Sequence, residues 1–304
     1  MRVVKETFKA LGTDILILIV GKNPEETEKA KRVLRVIQSL YREKENIFSR
    51  FDENSELNRL NKQAGKFQEV SEDMLAVARK SLEYNIETQG LFDPRIIEIL
   101  ENIGYGKNFP ENDFKAIAIK DEKFLPLAED LEIKGRSMRF NRRMDFSGIA
   151  KGYITDKATE LLVKLGFENF LIDSGGDIYA SGLDEKKEKW KIGLEGFPEE
   201  KIMLRISDEA VATSGITRRK WESGGRKFHH LINPRNFKKF DFDLKSVTVI
   251  EKNTIAADVW AKVLFLMGRE KGIEFSNRKK IKSLFLDYKS NLYLSQEAKR
   301  YLTK

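Results

Sequence analysis

The spacing of apolar side chains along the chain predicts an alternation of strands and helices. Residues 13–20 are apolar at almost every position, which is typical of a strand buried on both faces. Apolar residues then recur at helical spacing to about residue 45, after a start signal of Asn23 as N-cap and Pro24 at the first helical position. Two further helices are predicted, one starting after Ser71 and one ending just before Gly166.

The second half of the chain adds short strands that follow one another. Apolar runs predict strands at residues 170–172, 178–180, 190–194, 202–206, 246–250, 284–288 and 292–294. A helix is predicted over residues 254–267, a short polar helix closes the chain, and residues 105–129 are interpreted as irregular or inserted. Because neighbouring strands can form hairpins, the pattern favours an α+β fold with much antiparallel sheet over a doubly wound parallel fold.

The composition of the chain excludes several kinds of active site. The 304 residues include no cysteine and only two histidines, His229 and His230. Disulfides, thiolate metal sites, cysteine nucleophiles and multi-histidine metal centres are therefore excluded. The chemistry must come from carboxylates, hydroxyls, lysines, backbone groups or one of the histidines.

The net charge of +8 raises the question of an anionic partner. Acidic and basic residues are mixed and the basic runs are short, so a solvated surface is favoured over a nucleic-acid interface. The most apolar run, residues 15–20, is too short to cross a membrane, and no targeting signal is recognisable. The cytoplasm is the expected compartment, although a sequence trimmed of an export signal would look the same.

Two loops of small residues are candidate anion sites. Residues 145–152 include Asp145, Gly148 and Lys151 where a helix begins, and residues 174–177 read Ser-Gly-Gly-Asp between two strands. Glycines let backbone N–H groups approach an anion, while a helix N-terminus and a lysine favour phosphate. Each loop alone is a weak signal, because neither matches a nucleotide-binding fingerprint and a glycine pair is commonly just a turn.

Two further positions are candidates for catalysis. A histidine of the 229–230 pair could act as general base, although a structural hydrogen bond is the commoner role of an isolated histidine. Asp258 lies in an apolar stretch of the helix predicted at 254–267. It either forms an i,i+4 ion pair with Lys262 or is functional, since a carboxylate among apolar neighbours is costly unless it is paired or binds a metal.

Taken together, these motifs resemble the ApbE-type flavin transferases, the FAD:protein FMN transferases. The resemblance covers nearly the whole chain in order and lies in residues 8–13, 48–61, 90–94, 145–153, 174–177, 213–215, 230–234, 246–249 and 257–258. No single motif is specific, but so many in register are difficult to obtain by chance.

The resemblance implies both a fold and an activity. The fold would be α+β and T-fold-like, with mixed, largely antiparallel sheets flanked by helices, in one domain over residues 1–304 with possible sub-regions 1–140 and 141–304. The activity would be transfer of the FMN moiety of FAD to a threonine hydroxyl of an acceptor flavoprotein, with release of AMP and a requirement for Mg²⁺. Neither nucleic-acid binding nor membrane insertion is expected, while the acceptor and the oligomeric state stay open.

The resemblance also implies site residues by position. Leu11 stands where the family commonly has methionine, and His230 lies where the family's proposed base for the acceptor threonine lies. Asp258 would be catalytic and would bind the metal through its carboxylate, beside the carbonyl groups of Gly148 and Ala261. The residues expected to contact FAD are Leu11, Phe51, Leu91, Phe92, Asp93, Asp145, Lys151, Gly175, Gly176 and Ile232.

One position departs from the family pattern. Lys262 stands where the family usually has a threonine or a similar oxygen ligand, and a protonated ammonium cannot bind Mg²⁺. Either Lys262 points away from the metal site, which we favour because lysine is flexible, or it pairs with Asp258 and weakens metal binding.

Three other functions remain open from the sequence. An FAD pyrophosphatase that yields FMN and AMP would use water in place of threonine and the same residues. A non-catalytic FAD-binding relative is compatible with the lysine at position 262. A basic nucleic-acid binder rests on charge alone.

Overall fold

The computed structural model of the protein describes residues 2–105, 124–194, 202–217, 219–223, 225–240 and 242–302. Its helices are α1 (Pro24–Phe48), α2 (Glu56–Lys62), α3 (Glu72–Glu87), α4 (Ile97–Asn102), α5 (Leu127–Asp130), α6 (Ser147–Lys164), α7 (Thr254–Met267) and α8 (Arg269–Lys279), with a 3₁₀ helix at Gln296–Tyr301. Its strands are β1 (Arg2–Ala10), β2 (Thr13–Gly21), β3 (Gln68–Glu69), β4 (Leu131–Lys134), β5 (Ser137–Phe140), β6 (Phe170–Ser174), β7 (Asp177–Ser181), β8 (Trp190–Gly193), β9 (Met203–Ile206), β10 (Glu209–Gly215), β11 (Lys220–Ser223), β12 (Arg226–His229), β13 (Leu244–Glu251), β14 (Lys282–Asp287) and β15 (Leu292–Leu294).

An eight-stranded sheet in the order β1-β2-β6-β7-β10-β13-β14-β15 organises the fold. Every strand pairing within the described residues is antiparallel, which confirms the α+β prediction and excludes a doubly wound parallel sheet. Two small hairpins, β8–β9 and β11–β12, and the three-stranded sheet β3-β5-β4 lie outside it.

The two faces of the large sheet are covered differently. Helices α1, α6 and α7 pack on one face, where Tyr41, Ile149 and Phe265 are fully buried in the main apolar core. The other face is covered by the β8–β9 hairpin and the 3₁₀ helix, around Trp190, Leu204 and Ala298. Alternate side chains of a strand point to opposite faces, so β2 packs on both layers, with fully buried and half-buried positions alternating.

Helix starts follow the signals in the sequence. The Asn23 side chain accepts a hydrogen bond from the N–H of Glu26 (2.8 Å) at the start of α1, as predicted. The Ser71 hydroxyl accepts from the N–H of Met74 (3.1 Å) at the start of α3. The pattern therefore placed these N-termini correctly because each cap is satisfied within its own first turn.

Several elements differ from the sequence prediction. Strand β1, the β11–β12 hairpin and helix α8 were not predicted, because polar or charged residues interrupt their apolar periodicity. The predicted strands at 190–194 and 202–206 are shorter, ending at Gly193 and starting at Met203, and the closing helix is 3₁₀. Most of the stretch interpreted as irregular, residues 106–123, lies outside the described residues, and residues 127–130 form α5. Across the described ranges no helix has both the length and the apolar character needed to span a membrane.

Candidate active site

Helices α6 and α7 cross closely, and this crossing is the centre of the site. A Cβ atom at Gly152 would lie 2.8 Å from the Cα of Ile255, so only glycine permits the observed approach. One turn earlier, a Cβ at Gly148 would lie 3.6 Å from both the Cε of Lys262 and a ring carbon of Phe92. The crossing therefore brings the start of α6 and the 91–93 segment against Lys262 of α7.

Asp258 is buried at this crossing, together with Ala261 of the same helix. Its Oδ1 accepts a hydrogen bond from the Nζ of Lys262, while its buried Oδ2 has no hydrogen-bond partner among the described residues. Burial and the neighbouring Asp177 raise the pKa of Asp258, an effect that the ammonium groups of Lys262 and Lys151 oppose. The expectation that Lys262 points away is wrong, since its ammonium pairs with the carboxylate one helical turn earlier.

A second buried ion pair lies beside the first. The Nζ of Lys151 donates a hydrogen bond to Oδ2 of Asp177, whose side chain is 3% exposed. Burial alone would lower the pKa of Lys151, but the Asp177 and Asp258 carboxylates raise it overall, so this lysine stays cationic. A permanent positive charge is thus held at the first turns of α6, where phosphate binding was predicted.

Asp177 follows directly on the Gly175-Gly176 turn that joins β6 to β7. Both glycines have a positive φ (68° and 98°), and the N–H of Gly176 donates to Oδ1 of Asp173 (2.7 Å). A Cβ at Gly175 would lie 2.2 Å from the hydroxyl oxygen of Thr13, so this turn abuts the β1–β2 turn that contains Leu11. Leu11 has a φ of 56°, and its N–H donates to Oε1 of Glu45 (2.7 Å).

The loop before α6 ties the site to the 91–94 segment. The N–H of Asp145 donates to the carbonyl oxygen of Pro94 (2.7 Å), and its Oδ1 accepts from the N–H of Ser147 (2.8 Å). Asp145 Oδ2 lies 3.6 Å from Nε of Arg50, an ion pair with both side chains almost fully buried. Asp145 therefore connects the helix start to the aromatic end of the site.

Leu91, Phe92 and Asp93 are all buried. Both carboxylate oxygens of Asp93 already accept hydrogen bonds from Arg95 (2.9 and 2.6 Å), and Oδ2 accepts another from Asn85 (3.1 Å). The Asp93 side chain thus shapes the loop, and its carboxylate is engaged within the protein.

Arg50 organises the aromatic end. Its guanidinium lies over the rings of Phe51 (4.4 Å) and Tyr105 (4.9 Å), and Tyr105 stacks on Trp221 at 5.6 Å. Phe51 is 44% exposed, and a cavity of about 450 Å³ lies beside it, lined also by Asn58, Ile97 and Arg143. The exposed part of the Phe51 ring is a surface on which a flat heteroaromatic ring can stack.

The two histidines have different surroundings. The buried His229 lies between Phe240 and Phe242, and its Nε2 is 3.1 Å from the carbonyl oxygen of Phe240. His230 is half-buried beside Tyr105, and its Nδ1 lies 3.5 Å from the carbonyl oxygen of Arg219. Burial and the positive charge of Arg219 lower the pKa of His230 to about 3, so its imidazole is neutral at neutral pH.

Ile232 continues the His230 segment into a small apolar cluster. Its side chain is buried with Ile99, Ile103 and Phe228, and Tyr105 packs against the same cluster. Ile232 is therefore connected through Tyr105 to Arg50 and Phe51.

Three residues outside the expected set belong to this network: Arg50, Tyr105 and Asp177. Asp177 and Arg50 lie within motifs 174–177 and 48–61 that carried the resemblance, so the motifs contained the signal for them. Tyr105 had no such signal, because its role comes from stacking on a hairpin far along the chain.

The residues present fit a hard divalent cation. The described residues contain no group of three or more histidine or carboxylate side chains that could hold a metal. Mg²⁺ needs no such group, because it binds through few carboxylates completed by other oxygens. The buried Oδ2 of Asp258, which has no hydrogen-bond partner among the described residues, is a carboxylate oxygen of that kind.

Comparison with known proteins assigns the class. The model of the ApbE family matches residues 11–285, and the chain belongs to this family. It is 27% identical over 290 residues to the FAD:protein FMN transferase of Vibrio cholerae, covering 90% of this chain and 86% of that protein. It is 24% identical over 287 residues to the FAD:protein FMN transferase of Escherichia coli K12, with coverage of 89% and 80%.

Solved structures agree with this assignment. The flavin transferase ApbE from Vibrio cholerae superposes with a TM-score of 0.83 at 25% identity, over 99% of each chain. The ApbE protein from Thermotoga maritima superposes with a TM-score of 0.85 at 21% identity, over the full length of both chains, which shows the shared fold.

Proposed function

We propose that this protein transfers the FMN moiety of FAD to the hydroxyl group of a threonine in an acceptor protein and releases AMP, with Mg²⁺ required. The observation that carries the proposal is the buried Asp258, whose Oδ2 has no hydrogen-bond partner in the described part of the chain, near the cationic Lys151 and near Asp177, which follows the Gly175-Gly176 turn. The relatives named FAD:protein FMN transferase support the same reaction.

The reaction exchanges one bond to phosphorus for another. The threonine oxygen bonds to the phosphorus of the FMN half, and the bond from that phosphorus to the bridging oxygen breaks, so AMP leaves. The hydroxyl proton passes to a base and then to solvent. His230 is the candidate base by position, because its Nδ1 lies 3.5 Å from the carbonyl oxygen of Arg219, which leaves Nε2 as the acceptor.

Negative charge on the phosphate oxygens must be balanced as the bond breaks. Lys151 supplies a positive charge at the first turns of α6. Asp258 Oδ2 and the carbonyl groups of Gly148 and Ala261 would hold Mg²⁺, which when bound acts as a Lewis acid on the pyrophosphate oxygens. The exposed ring of Phe51, held by the guanidinium of Arg50, offers a stacking surface for a ring of the dinucleotide.

The test combines binding with product analysis. The protein is incubated with FAD, Mg²⁺ and a protein extract of its own source cells, and the denatured proteins are separated and inspected for flavin fluorescence. We expect a fluorescent band, FMN attached to threonine by mass spectrometry, and AMP in the filtrate. Asp258→Asn should remove the band, while Lys164→Ala at the exposed end of the same α6 that carries Lys151 should keep it.

Other outcomes identify the alternatives. FMN and AMP without a labelled protein would identify a pyrophosphatase. FAD retained unchanged would identify a flavin-binding protein, and either outcome would overturn the proposal.

A further inference from the structure

Two buried ion pairs share the centre of the site. The side chains of Asp258 and Asp177 are each 3% exposed, and those of their partners Lys262 and Lys151 are each 21% exposed. The charges of Asp177 and Lys151 both influence the pKa of Asp258, so the four side chains form one electrostatic group. Two carboxylates and two ammonium groups give it a formal charge of zero.

We infer that the ammonium group of Lys262 hinders binding of a divalent cation to Asp258 when no dinucleotide is bound. Tight metal binding then requires the diphosphate of the dinucleotide. A divalent cation alone adds two positive charges to a neutral buried group beside an ammonium. A diphosphate alone adds two negative charges, and the two together restore neutrality. The metal and the dinucleotide should therefore each increase the affinity for the other.

The contacts of Asp258 show where Lys262 and a divalent cation would compete for its carboxylate. Lys262 Nζ donates to Oδ1 and lies 3.3 Å from the backbone carbonyl oxygen of Asp258, so it covers one edge of the residue. Oδ2 is left as the acceptor for an added cation. A Cβ at Gly148 would lie 3.6 Å from Cε of Lys262, so the aliphatic part of the lysine side chain lies against the first turn of α6.

A purely structural i,i+4 ion pair would look different. Such pairs lie on exposed helix faces, whereas this one is buried between α6 and α7. A buried carboxylate held only for stability would have both oxygens satisfied, because an unpaired polar atom in the interior is costly. The Oδ2 of Asp258, which has no hydrogen-bond partner within the described ranges, thus indicates a ligand position next to the ammonium group of Lys262.

The inference about the metal alone is tested without FAD and without catalysis. Binding of Mn²⁺, which also prefers oxygen ligands, is titrated by electron paramagnetic resonance of the free ion. We expect Lys262→Met to bind Mn²⁺ about tenfold or more tightly than the native protein. Lys262→Arg, which keeps the charge, should bind as weakly as the native protein.

A second substitution tests whether the Mn²⁺ ion binds at Asp258. Adding Asp258→Asn to Lys262→Met should abolish the gain, whereas Lys164→Met at the exposed end of α6 should produce none. If Lys262→Met does not fold by circular dichroism, Lys262→Gln serves in its place. Equal Mn²⁺ affinity in the native and neutral variants would overturn the inference.

The claim that metal binding depends on the dinucleotide rests on the proposed function and is tested in a separate experiment. With saturating FAD, the Mn²⁺ affinity of the native protein should rise about tenfold, and that of Lys262→Met should rise less. Bound FAD with no change in native Mn²⁺ affinity would overturn the coupling. If FAD binds neither protein, the proposed function fails, while the comparison in FAD-free solution still decides whether Lys262 excludes the cation.

Discussion

The carboxylate of Asp156 accepts a hydrogen bond from the N–H of Thr254 at 2.7 Å and so fixes the N-terminus of α7 on α6. Its second oxygen accepts from the N–H of Ile255 at 3.1 Å, and Asn253 caps the N–H of Ala256. Two side chains thus satisfy the first free N–H groups of the helix that carries Asp258.

Removing this carboxylate should loosen α7. We expect Asp156→Ala to lower the free energy of unfolding by about 1–2 kcal/mol, because two helix N–H groups lose their partner. Urea denaturation measures the difference. Glu160→Ala, one turn along the exposed side of α6, should change it by less than about 0.5 kcal/mol; an equal loss in both variants would contradict the capping role.

The close crossing of α6 and α7 predicts a contrast between two glycines of one helix. Gly152→Ala should cost about 1–3 kcal/mol, since its Cβ would meet the backbone of Ile255 at 2.8 Å. Gly148→Ala should cost less than about 1 kcal/mol, because its Cβ would make ordinary contacts and alanine favours the helix. Thermal or urea unfolding of both variants checks the ranking, and the reverse order would refute the steric argument.

The glycine turn between β6 and β7 allows a similar comparison. Gly175→Ala should destabilise by about 2–4 kcal/mol, since it combines a positive φ with a collision at Thr13. Gly176→Ala has a positive φ but no heavy atom within 4 Å of the added Cβ, so it should cost about 1–2 kcal/mol. Replacing Thr13 with glycine should reduce the loss in Gly175→Ala and leave that of Gly176→Ala unchanged.

Asp73 of α3 accepts a hydrogen bond from the Tyr153 hydroxyl of α6, and the pKa of this carboxyl group predicts that the free energy of unfolding depends on pH. Burial alone would raise the pKa of Asp73, but hydrogen bonds from Lys44 (2.8 Å) and the Tyr153 hydroxyl (2.6 Å) lower it overall. The stabilisation is therefore present above the ordinary pKa near 3.8 and is lost as the pH falls through the folded-state value.

We accordingly expect Asp73→Asn to lower the free energy of unfolding by about 1–2 kcal/mol at neutral pH, and by progressively less below about pH 4. Denaturation at several pH values measures this dependence. Glu72→Gln, at an exposed neighbouring position, should change stability little at any pH. A loss for Asp73→Asn that is constant with pH would contradict the ionic contribution.

The local parts of the fold could be predicted from the sequence. The caps at Asn23 and Ser71 and the turn at Gly175-Gly176 depend on neighbours a few residues away, so their residue types suffice. Strand β1 could not be predicted, because charged residues alternate along it and its membership in the sheet depends on pairing with β2. The motifs predicted the site residues from the resemblance, and which of them bind FAD or a metal stays a prediction.

The sequence by itself determined the apolar helix around Asp258 and the unusual lysine at position 262. It did not determine the start of α6, because residues 147–152, predicted as part of a loop, form the first turns of this helix. Only the tertiary structure decided that Lys262 turns onto Asp258, that Lys151 pairs with Asp177 and that Arg50 reaches Asp145. The physical reason is that the ion-pair partner of a long side chain depends on burial and on the charges that distant segments bring near it. Those segments meet only when α6 crosses α7 and the strand turns gather beside them.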